Sequence, residues 1–383
     1  MCVSVGSDRS GAAMKILHVF RTPVGGLFRH VRDLARGQSE LGHEVGIICD
    51  STTGGQVASD LLDCVAPYCS LGIARIEISR LPGFGDLSAI TSTRKHAQEL
   101  GVDIVHGHGA KGGLYGRVAA RPLGLPSVYT PHGGSLHYKW LAFPGFVFLA
   151  SEWALARIGT GMIFVCEFER QSFAKKIGLG GKPKIVVHNG LWPEEFSAVK
   201  PEANAADVLY MGDMRHLKGV DVLLKALALV RRKRALTACL VGDGPDIAEF
   251  KGLAETLGLG TSVAFPGRLP TALALKRGRL LVLPSRAESF PYVVLEAAAG
   301  RVPMIASDVG GIPEILPEKN LCPPDNPEAL ARHIEMALAI PAAIADDAKA
   351  LSETTRISFD AGVMGRNVTA FYQQLLTASA RAH

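Results

Sequence analysis

The sequence predicts an α/β protein with two doubly wound parallel-sheet domains that face each other across a cleft. Short apolar segments alternate with segments of helical periodicity, which is typical of parallel sheets covered by helices. The same alternation begins again in the second half of the chain. At 383 residues the chain is also longer than one ordinary hydrophobic core requires, so two domains are expected.

The first half begins with a predicted strand at 14–20, a glycine turn in TPVGG and a helix at 27–42. Residues 1–13 lack the basic region and apolar core of a signal peptide, and we expect them to form a disordered tail. Apolar runs that end in turn or helix signals predict the remaining strands, with helices between them. These segments are 44–50, 102–108, 126–133, 162–178 (a strand leading into a helix) and 184–190.

The second half repeats this pattern. The strands are predicted at 207–214, 237–246, 262–267, 280–285 and 303–308. A helix at 219–235 ends in cations, which are favourable at a helix C-terminus.

The polar, proline-containing segment at 189–207 separates the two halves. We place the domain boundary there and predict one domain at 14–195 and a second at 196–358. A last helix in 359–383 can pack on either domain. In one of these two alternatives the chain crosses back from the second domain to the first.

Composition and charge restrict the class of protein. Hydrophobic residues make up 48% of the chain and charged residues 20%, which indicates a globular protein. The seven cysteines form no CxxC pair, so free thiols in a reducing cytoplasm are expected. Up to residue 200 there are 21 Lys/Arg and 16 Asp/Glu, against 20 of each afterwards. This excess fits anionic partners such as a phospholipid surface or a lipid-linked diphosphate, and fits an ordinary soluble surface equally well; a nucleic-acid partner is not predicted.

One aromatic-rich segment, 139–166, bears on membrane binding. Pro144, Glu152 and Arg157 interrupt it, so it is too short to span a bilayer. Its aromatic residues can lie at a bilayer interface or pack in the core, and core packing is the favoured prediction. They are Trp140, Phe143, Phe146, Phe148 and Trp153.

The loops that follow the strands are expected to hold the ligand, because ligands bind beyond the carboxyl ends of parallel strands. Gly25 and Gly26 would let an anion approach the amides of the first helix, and they do not form the GxGxxG of a nicotinamide site. Arg215 and Lys218, in MGDMRHLKGVD, suit a diphosphate. The alternative for these two cations is a solvated loop.

Histidines also follow predicted strands. His106 and His108 lie in VHGHGAKGG, and His132 lies in TPHGG. A third ligand with metal-site spacing is missing, so the sequence predicts no metal and favours packing roles for His106 and His108. His132, between a proline and two glycines, is the better candidate for a functional-site residue.

The segment ESFPYVVLE places Glu288 in a loop and Glu296 in the helix that we expect to begin at Pro291. The amides near Phe290, Tyr292 and Val293 would favour a negative charge. A carboxylate, an anion site and a second carboxylate suit a sugar, a diphosphate and a ribose in a row. A sugar nucleotide is such a ligand.

Together these motifs resemble the family 4, or group 1, retaining glycosyltransferases with the GT-B fold. The run PSRAESFPYVVLEAAAGRVPMIASDVGGIPEIL resembles the E-x7-E region of that family. The other matching motifs follow in the family's order over most of the chain. They are GG at 25–26, HGHGAKGGLYGR, TPHGG, HNG, GDMRHLKGVDVLL, GDGP and FPGR.

The resemblance implies a role for each matching residue. Gly26 and Lys218 would meet the donor diphosphate, as would the amide of Tyr292. Glu288 would contact the transferred sugar, and Glu296 would bind the ribose.

The remaining roles are also implied by the resemblance. Gly267 and Arg268 would lie beside the nucleobase, and His132 near the reacting sugar carbon. Many members carry an arginine where this chain has Asp213, and we expect Arg215 to substitute for it.

The resemblance further implies a retaining, metal-independent transfer of a hexose from a UDP- or GDP-sugar to an acceptor hydroxyl, with no cofactor. A lipid-linked or lipopolysaccharide-type acceptor is expected, in cell-surface polysaccharide synthesis, with a soluble saccharide as the alternative. The protein would be cytoplasmic and attached peripherally to the anionic inner face of the membrane. A sugar-nucleotide 2-epimerase and a non-catalytic sugar-nucleotide-binding subunit are the alternative functions.

Overall fold

The structure is a computed structural model that describes residues 13–138, 140–141 and 143–381. The predicted tail at 1–13 lies outside the described residues except for residue 13.

Among the described residues, seven parallel strands form the sheet of the first half, in the order β3-β2-β1-β4-β5-β6-β7. In chain order β1 to β7 are Lys15–Val19, Glu44–Asp50, Ile73–Ile76, Ile104–His108, Ser127–Thr130, Gly161–Phe164 and Lys184–Val186. Helices α1 to α6 are Gly25–Glu40, Gly55–Val65, Gly85–Leu100, Gly109–Ala120, Phe143–Ile158 and Glu167–Lys176.

In the described part of the second half, six parallel strands form the second sheet, in the order β10-β9-β8-β11-β12-β13. Strands β8 to β13 are Ala206–Met211, Ala238–Val241, Val263–Gly267, Gly278–Leu283, Met304–Ser307 and Leu321–Cys322. Helices α7 to α13 are Val220–Arg231, Ile247–Thr256, Thr271–Ala274, Tyr292–Ala299, Pro327–Ala339, Pro341–Ser358 and Ala361–Ala380.

Both sheets have the same arrangement, and the α/β class with two parallel sheets is confirmed. In each, the strand order reverses between the first and fourth strands, at β1/β4 and at β8/β11. Such switch points open a crevice at the carboxyl ends of the strands. The sequence analysis missed β3 and β13, because a short mixed segment such as IARI carries little periodicity.

The last helix, α13, returns to the first half and packs against α1. Met364, Val368 and Phe371 of α13 are buried in one cluster with Ile16 and Leu34. Burying each such side chain contributes roughly 1.5–3 kcal/mol, so this packing holds the end of the chain to the first sheet. The boundary predicted after residue 195 falls between β7 and β8.

Three of the five aromatic residues in the segment around α5 differ from the favoured prediction of core packing, whereas Phe148 is half-buried. Trp140, Phe146 and Trp153 are 39–55% exposed, and Leu141 is fully exposed. The buried face of α5 instead consists largely of small and aliphatic residues together with the ion-paired Glu152. Within the described part of the chain, no helix combines the length and apolar character needed to cross a membrane.

Candidate active site

The start of α1 forms one wall of the cleft. Gly25 has a φ of +81°, which an L-residue with a side chain rarely adopts, and an added Cβ there would meet open space. The preceding residue, Val24, has no side-chain oxygen to cap the helix. The first amides of α1 are therefore available to an anion.

The two loops at the switch point of the second sheet carry an ion pair. Lys218 Nζ lies 2.7 Å from Glu288 Oε1, and Ser285 Oγ donates to the same oxygen at 2.7 Å. Gly219 brings these loops together, because a Cβ on it would overlap the carbonyl oxygen of Pro284. The sequence predicted both charged residues separately and did not predict that they pair.

Helix α10 begins at Tyr292, with Pro291 just before it as the cap residue. The prediction that Pro291 is the first helical residue is wrong by one position, because its ψ of 125° is extended. The ring of Tyr292 lies across the domain interface against Gly26, and the Arg29 guanidinium lies 5.0 Å from the ring centre. The starts of α1 and α10 therefore face the same space.

The second glutamate of the motif has a partner that the sequence did not reveal. Arg29 NH1 donates to Glu296 Oε1 at 3.0 Å, and the same guanidinium binds Asp33 at 2.7 Å and also Glu195. Burial raises the pKa of Glu296, and Arg29 acts in the opposite direction. One oxygen of Glu296 is thus already engaged by Arg29.

Three adjoining cavities surround Glu288. A cavity of about 470 Å³ contains most of the residues predicted for the donor, which are Gly25, Gly26, Lys218, Glu288, Tyr292, Val293 and Glu296. It also contains Arg29 and Arg32, which the sequence analysis missed because a basic helix face usually faces solvent.

The other two cavities extend the cleft on either side of this glutamate. One of about 210 Å³ adds His132 and Phe290, and one of about 670 Å³ lies on the side of Glu169 and Glu314.

Arg215, Gly267 and Arg268 lie outside these three cavities in the described structure. Arg215 is half-buried and Arg268 is exposed, whereas the neighbouring Leu269 and Thr271 do line the 470 Å³ cavity. The roles predicted for the first three residues therefore stay predictions.

Histidines cluster at the switch point of the first sheet. His18 on β1 and His106 on β4 are paired in register, so their side chains and that of His108 share one face. His106 Nδ1 bonds to the hydroxyl of Tyr372 and Nε2 to Thr130 Oγ1 at 2.8 Å. This fits the packing role predicted for His106.

The sequence analysis found no third metal ligand beside His106 and His108. The fold supplies His18 and His30 from β1 and α1, and two groups of three histidines have ring nitrogens within 4.8 Å of one another. In the first group His18 and His108 are already joined by a hydrogen bond of 2.9 Å, and in the second His108 and His132 by one of 3.2 Å. The nitrogens nearest to one another therefore already serve as hydrogen-bond partners.

His132 lies in a turn that is held by Glu169, a residue of α6 in the same domain. Its φ is +52°, and the next residue, Gly133, donates its amide to the buried carboxylate of Glu169 at 2.5 Å. Ser289 Oγ bonds to the same oxygen at 3.0 Å. Burial raises the pKa of Glu169, while these hydrogen bonds lower it. Glu169 thus links the turn of His132 to the loop of Glu288, and its sequence context gave no signal of this role.

Two family models match the chain. One, described as Glycosyltransferase Family 4, matches residues 24–195, and the other, Glycosyl transferases group 1, matches residues 193–357. Glycogen synthase of Mycobacterium tuberculosis is 28% identical over 370 residues, covering 88% of each chain. An α-D-kanosaminyltransferase of Streptomyces kanamyceticus is 28% identical over 306 residues, covering 68% of this chain and 78% of that protein.

Solved structures share the fold. HepE of Anabaena in complex with UDP-glucose aligns with a TM-score of 0.80 at 20% identity, covering 94% of this chain and 100% of that one. A lipopolysaccharide outer core galactosyltransferase aligns with a TM-score of 0.68 at 18% identity, with the same coverage. The family matches and the paired parallel sheets agree with the resemblance seen in the sequence motifs. The chain belongs to the family 4, group 1 glycosyltransferases and has the GT-B fold.

Proposed function

We propose that the protein transfers a hexose from a nucleoside diphosphate donor to an acceptor hydroxyl and retains the anomeric configuration. The observation that carries this proposal is the convergence of Lys218, Glu288 and the starts of α1 and α10 on one cavity of about 470 Å³. Helix-start amides and an ammonium group suit a diphosphate, and a carboxylate suits the hydroxyl groups of a sugar.

In this proposal the diphosphate lies between the two helix starts, with Lys218 beside it. Charge develops on the diphosphate as the bond to the sugar breaks, and preorganised donors stabilise that charge. The acceptor attacks from the face that the diphosphate leaves, and a β-phosphate oxygen takes the acceptor proton. These donors are all groups of the chain, so we propose that the reaction needs no metal ion.

The acceptor would enter from the cavity of about 670 Å³ on the other side of Glu288. We propose a lipid-linked or lipopolysaccharide-type acceptor and peripheral attachment to the anionic inner face of the cytoplasmic membrane. The exposed Trp140, Leu141, Phe146 and Trp153 support the proposal, as does the basic first half. The Trp140 indole donates to the carbonyl oxygen of Lys176, which lines this cavity. The fold of a lipopolysaccharide galactosyltransferase also supports it.

The test is a screen of UDP- and GDP-sugars for donor cleavage, with and without excess chelator, followed by identification of the product. We expect release of the nucleoside diphosphate, a product of retained configuration and no effect of the chelator. A product that still carries its nucleotide would instead indicate a 2-epimerase. Tight binding of a donor that stays intact with every acceptor would indicate a binding subunit.

The membrane part is tested by sedimentation with anionic liposomes at low and high salt. We expect binding at low salt, weakening at high salt, and loss of binding in Leu141→Ser. Ile357→Ser is the matched control, because Ile357 is similarly exposed but lies on α12. Absence of binding at low salt, together with transfer to a free sugar, would reject the membrane-associated acceptor.

A further inference from the structure

A chain of hydrogen-bonded side chains leads from the buried face of α1 to the cleft. Gln38 Oε1 lies 2.8 Å from His18 Nε2, His18 Nδ1 lies 2.9 Å from His108 Nε2, and His108 Nδ1 lies 3.2 Å from His132 Nε2. Gln38, His18 and His108 are fully or almost fully buried. His132 ends the chain and lines the cavity of about 210 Å³ together with Lys218 and Glu288.

The three histidines of this chain are neutral near pH 7. Burial lowers the pKa of His18 to about 4 and holds the pKa values of His108 and His132 well below the ordinary value. A neutral imidazole has one N–H and one lone pair. Each ring that donates on one side must therefore accept on the other, so all hydrogen bonds of the chain run in the same direction.

The Gln38 amide sets that direction. Its oxygen faces His18, so His18 carries its proton on Nε2 and accepts from His108 through Nδ1. His108 then accepts from the Nε2–H of His132, which leaves the lone pair of His132 on Nδ1. The opposite amide orientation would reverse every bond and place a proton on that Nδ1.

In the first orientation the Gln38 oxygen bonds to His18 at 2.8 Å, whereas the amide nitrogen is buried and meets no hydrogen-bond partner among the described residues.

We propose that Gln38, His18 and His108 are positioning residues that fix the tautomer of His132, so that its Nδ1 accepts a hydrogen bond from a substrate hydroxyl in the cleft. The proposal rests on the proposed function, because it needs a sugar beside His132. Its consequence is selectivity: a site built to accept from a hydroxyl rejects an analogue that lacks it.

The titratable groups around the chain are also neutral in the working range. His30 on α1, His106 on β4 and Tyr372 on α13 are its neighbours, and burial keeps both histidines uncharged and the phenol protonated. Lys218 and Glu288 face His132 across the small cavity, and they pair with each other. The tautomer of the wild-type protein should therefore not change between about pH 6 and about pH 8.

Gln38→Glu should reverse the chain. A buried carboxylate at this position favours a proton on His18, whose two nitrogens then both donate. The Nδ1 of His132 becomes a donor, and turnover at about pH 6 should fall about tenfold, with a smaller change in donor KM. Turnover should recover toward about pH 8.5 as His18 loses that proton. Gln98→Glu, which adds the same charge at an exposed position on α3, should keep the wild-type pH profile.

The tautomers are measured directly by ¹⁵N NMR of the ligand-free protein labelled at histidine. In the wild type we expect the proton of His132 on Nε2. In Gln38→Met we expect a mixture of the two tautomers, and in Gln38→Glu at about pH 6 we expect the proton on Nδ1. The same tautomer in all three proteins would overturn the proposal, as would Nδ1–H in the wild type or a stoichiometric metal whose removal shifts these signals.

The two proposals fail in different ways. The tautomer measurement needs no donor, so expected tautomers in a protein that cleaves no donor would reject the proposed function alone. Normal transfer by a wild-type protein whose His132 is unaffected by Gln38 would reject the positioning role alone.

Discussion

The two sides of the cleft are built on the same sheet topology and use opposite chemistry. At the switch point of the first sheet, His18, His106 and His108 are buried and uncharged. At that of the second sheet, Lys218 and Glu288 form an ion pair that lines the cavities. One fold position therefore holds a hydrogen-bonded network in one domain and a charged site in the other.

The difference shows which kind of interaction each side of the cleft can supply to the proposed reaction. Neutral buried histidines orient hydrogen bonds at little electrostatic cost, because an isolated buried charge is strongly disfavoured. A partly exposed ammonium beside helix starts balances the charge of a diphosphate. Changes on the charged side should therefore affect turnover most, and changes of pH should affect the stability of the neutral side.

The largest effect is expected from Lys218→Met. We expect kcat/KM to fall by about 10³-fold, because the leaving diphosphate loses a donor whose contribution grows in the transition state. Both donor affinity and turnover should fall, as measured by binding assays and initial rates. Lys225→Met is the control, since Lys225 lies on the exposed face of α7. Full activity in Lys218→Met would show that the ammonium group of Lys218 takes no part in the reaction.

Glu288→Gln should come next. We expect turnover to fall by about 10²-fold with a smaller change in donor affinity, because this carboxylate lies where all three cavities meet. Rapid-quench and equilibrium binding measurements separate the two effects. A fall in affinity with unchanged turnover would mean that Glu288 only binds the donor.

From the buried, neutral histidines we predict that the free energy of unfolding depends on pH. The folded pKa of His18 and of His30 is about 4, below the ordinary 6.5, so the unfolded chain binds protons that the folded chain does not. Stability should be complete above about pH 6.5 and fall as the pH drops toward 4, with a loss of about 2 kcal/mol for each histidine at pH 5. Urea unfolding at several pH values measures this loss.

Glu169 and Glu296 act in the opposite sense, because burial raises their pKa values and the folded protein takes up their protons first. His30→Gln isolates the histidine contribution, since it should reduce the pH dependence relative to the wild type. Equal slopes in the two proteins would show that His30 does not titrate as described.

The smallest effect is expected from Glu296→Ala. Donor affinity should weaken about tenfold while turnover changes less, because one oxygen of Glu296 is held by Arg29 and the site loses a single ligand contact. Isothermal titration with the nucleotide measures the change, with the exposed Glu328→Ala as control. A larger fall in turnover than in affinity would reverse the roles of the two glutamates.

Several features of the fold and site were predictable from the sequence because they are local. The alternation of apolar runs and helical periods predicts two parallel sheets, and the residues after each strand mark the cleft. Gly25 and Gly26 at the start of α1, and the spacing of Glu288 and Glu296 across the start of α10, depend only on neighbouring residues. These predictions needed no knowledge of which strands pair.

The tertiary structure decided every feature that joins distant parts of the chain. Arg29 meets Glu296 across 267 positions, and His106 meets Tyr372 across 266 because α13 returns to the first domain. The direction of the Gln38–His132 chain likewise depends on contacts between a helix, two strands and a turn. Periodicity records the side of an element that is buried, but contains no information on the partner that covers it, since that partner comes from a distant part of the chain.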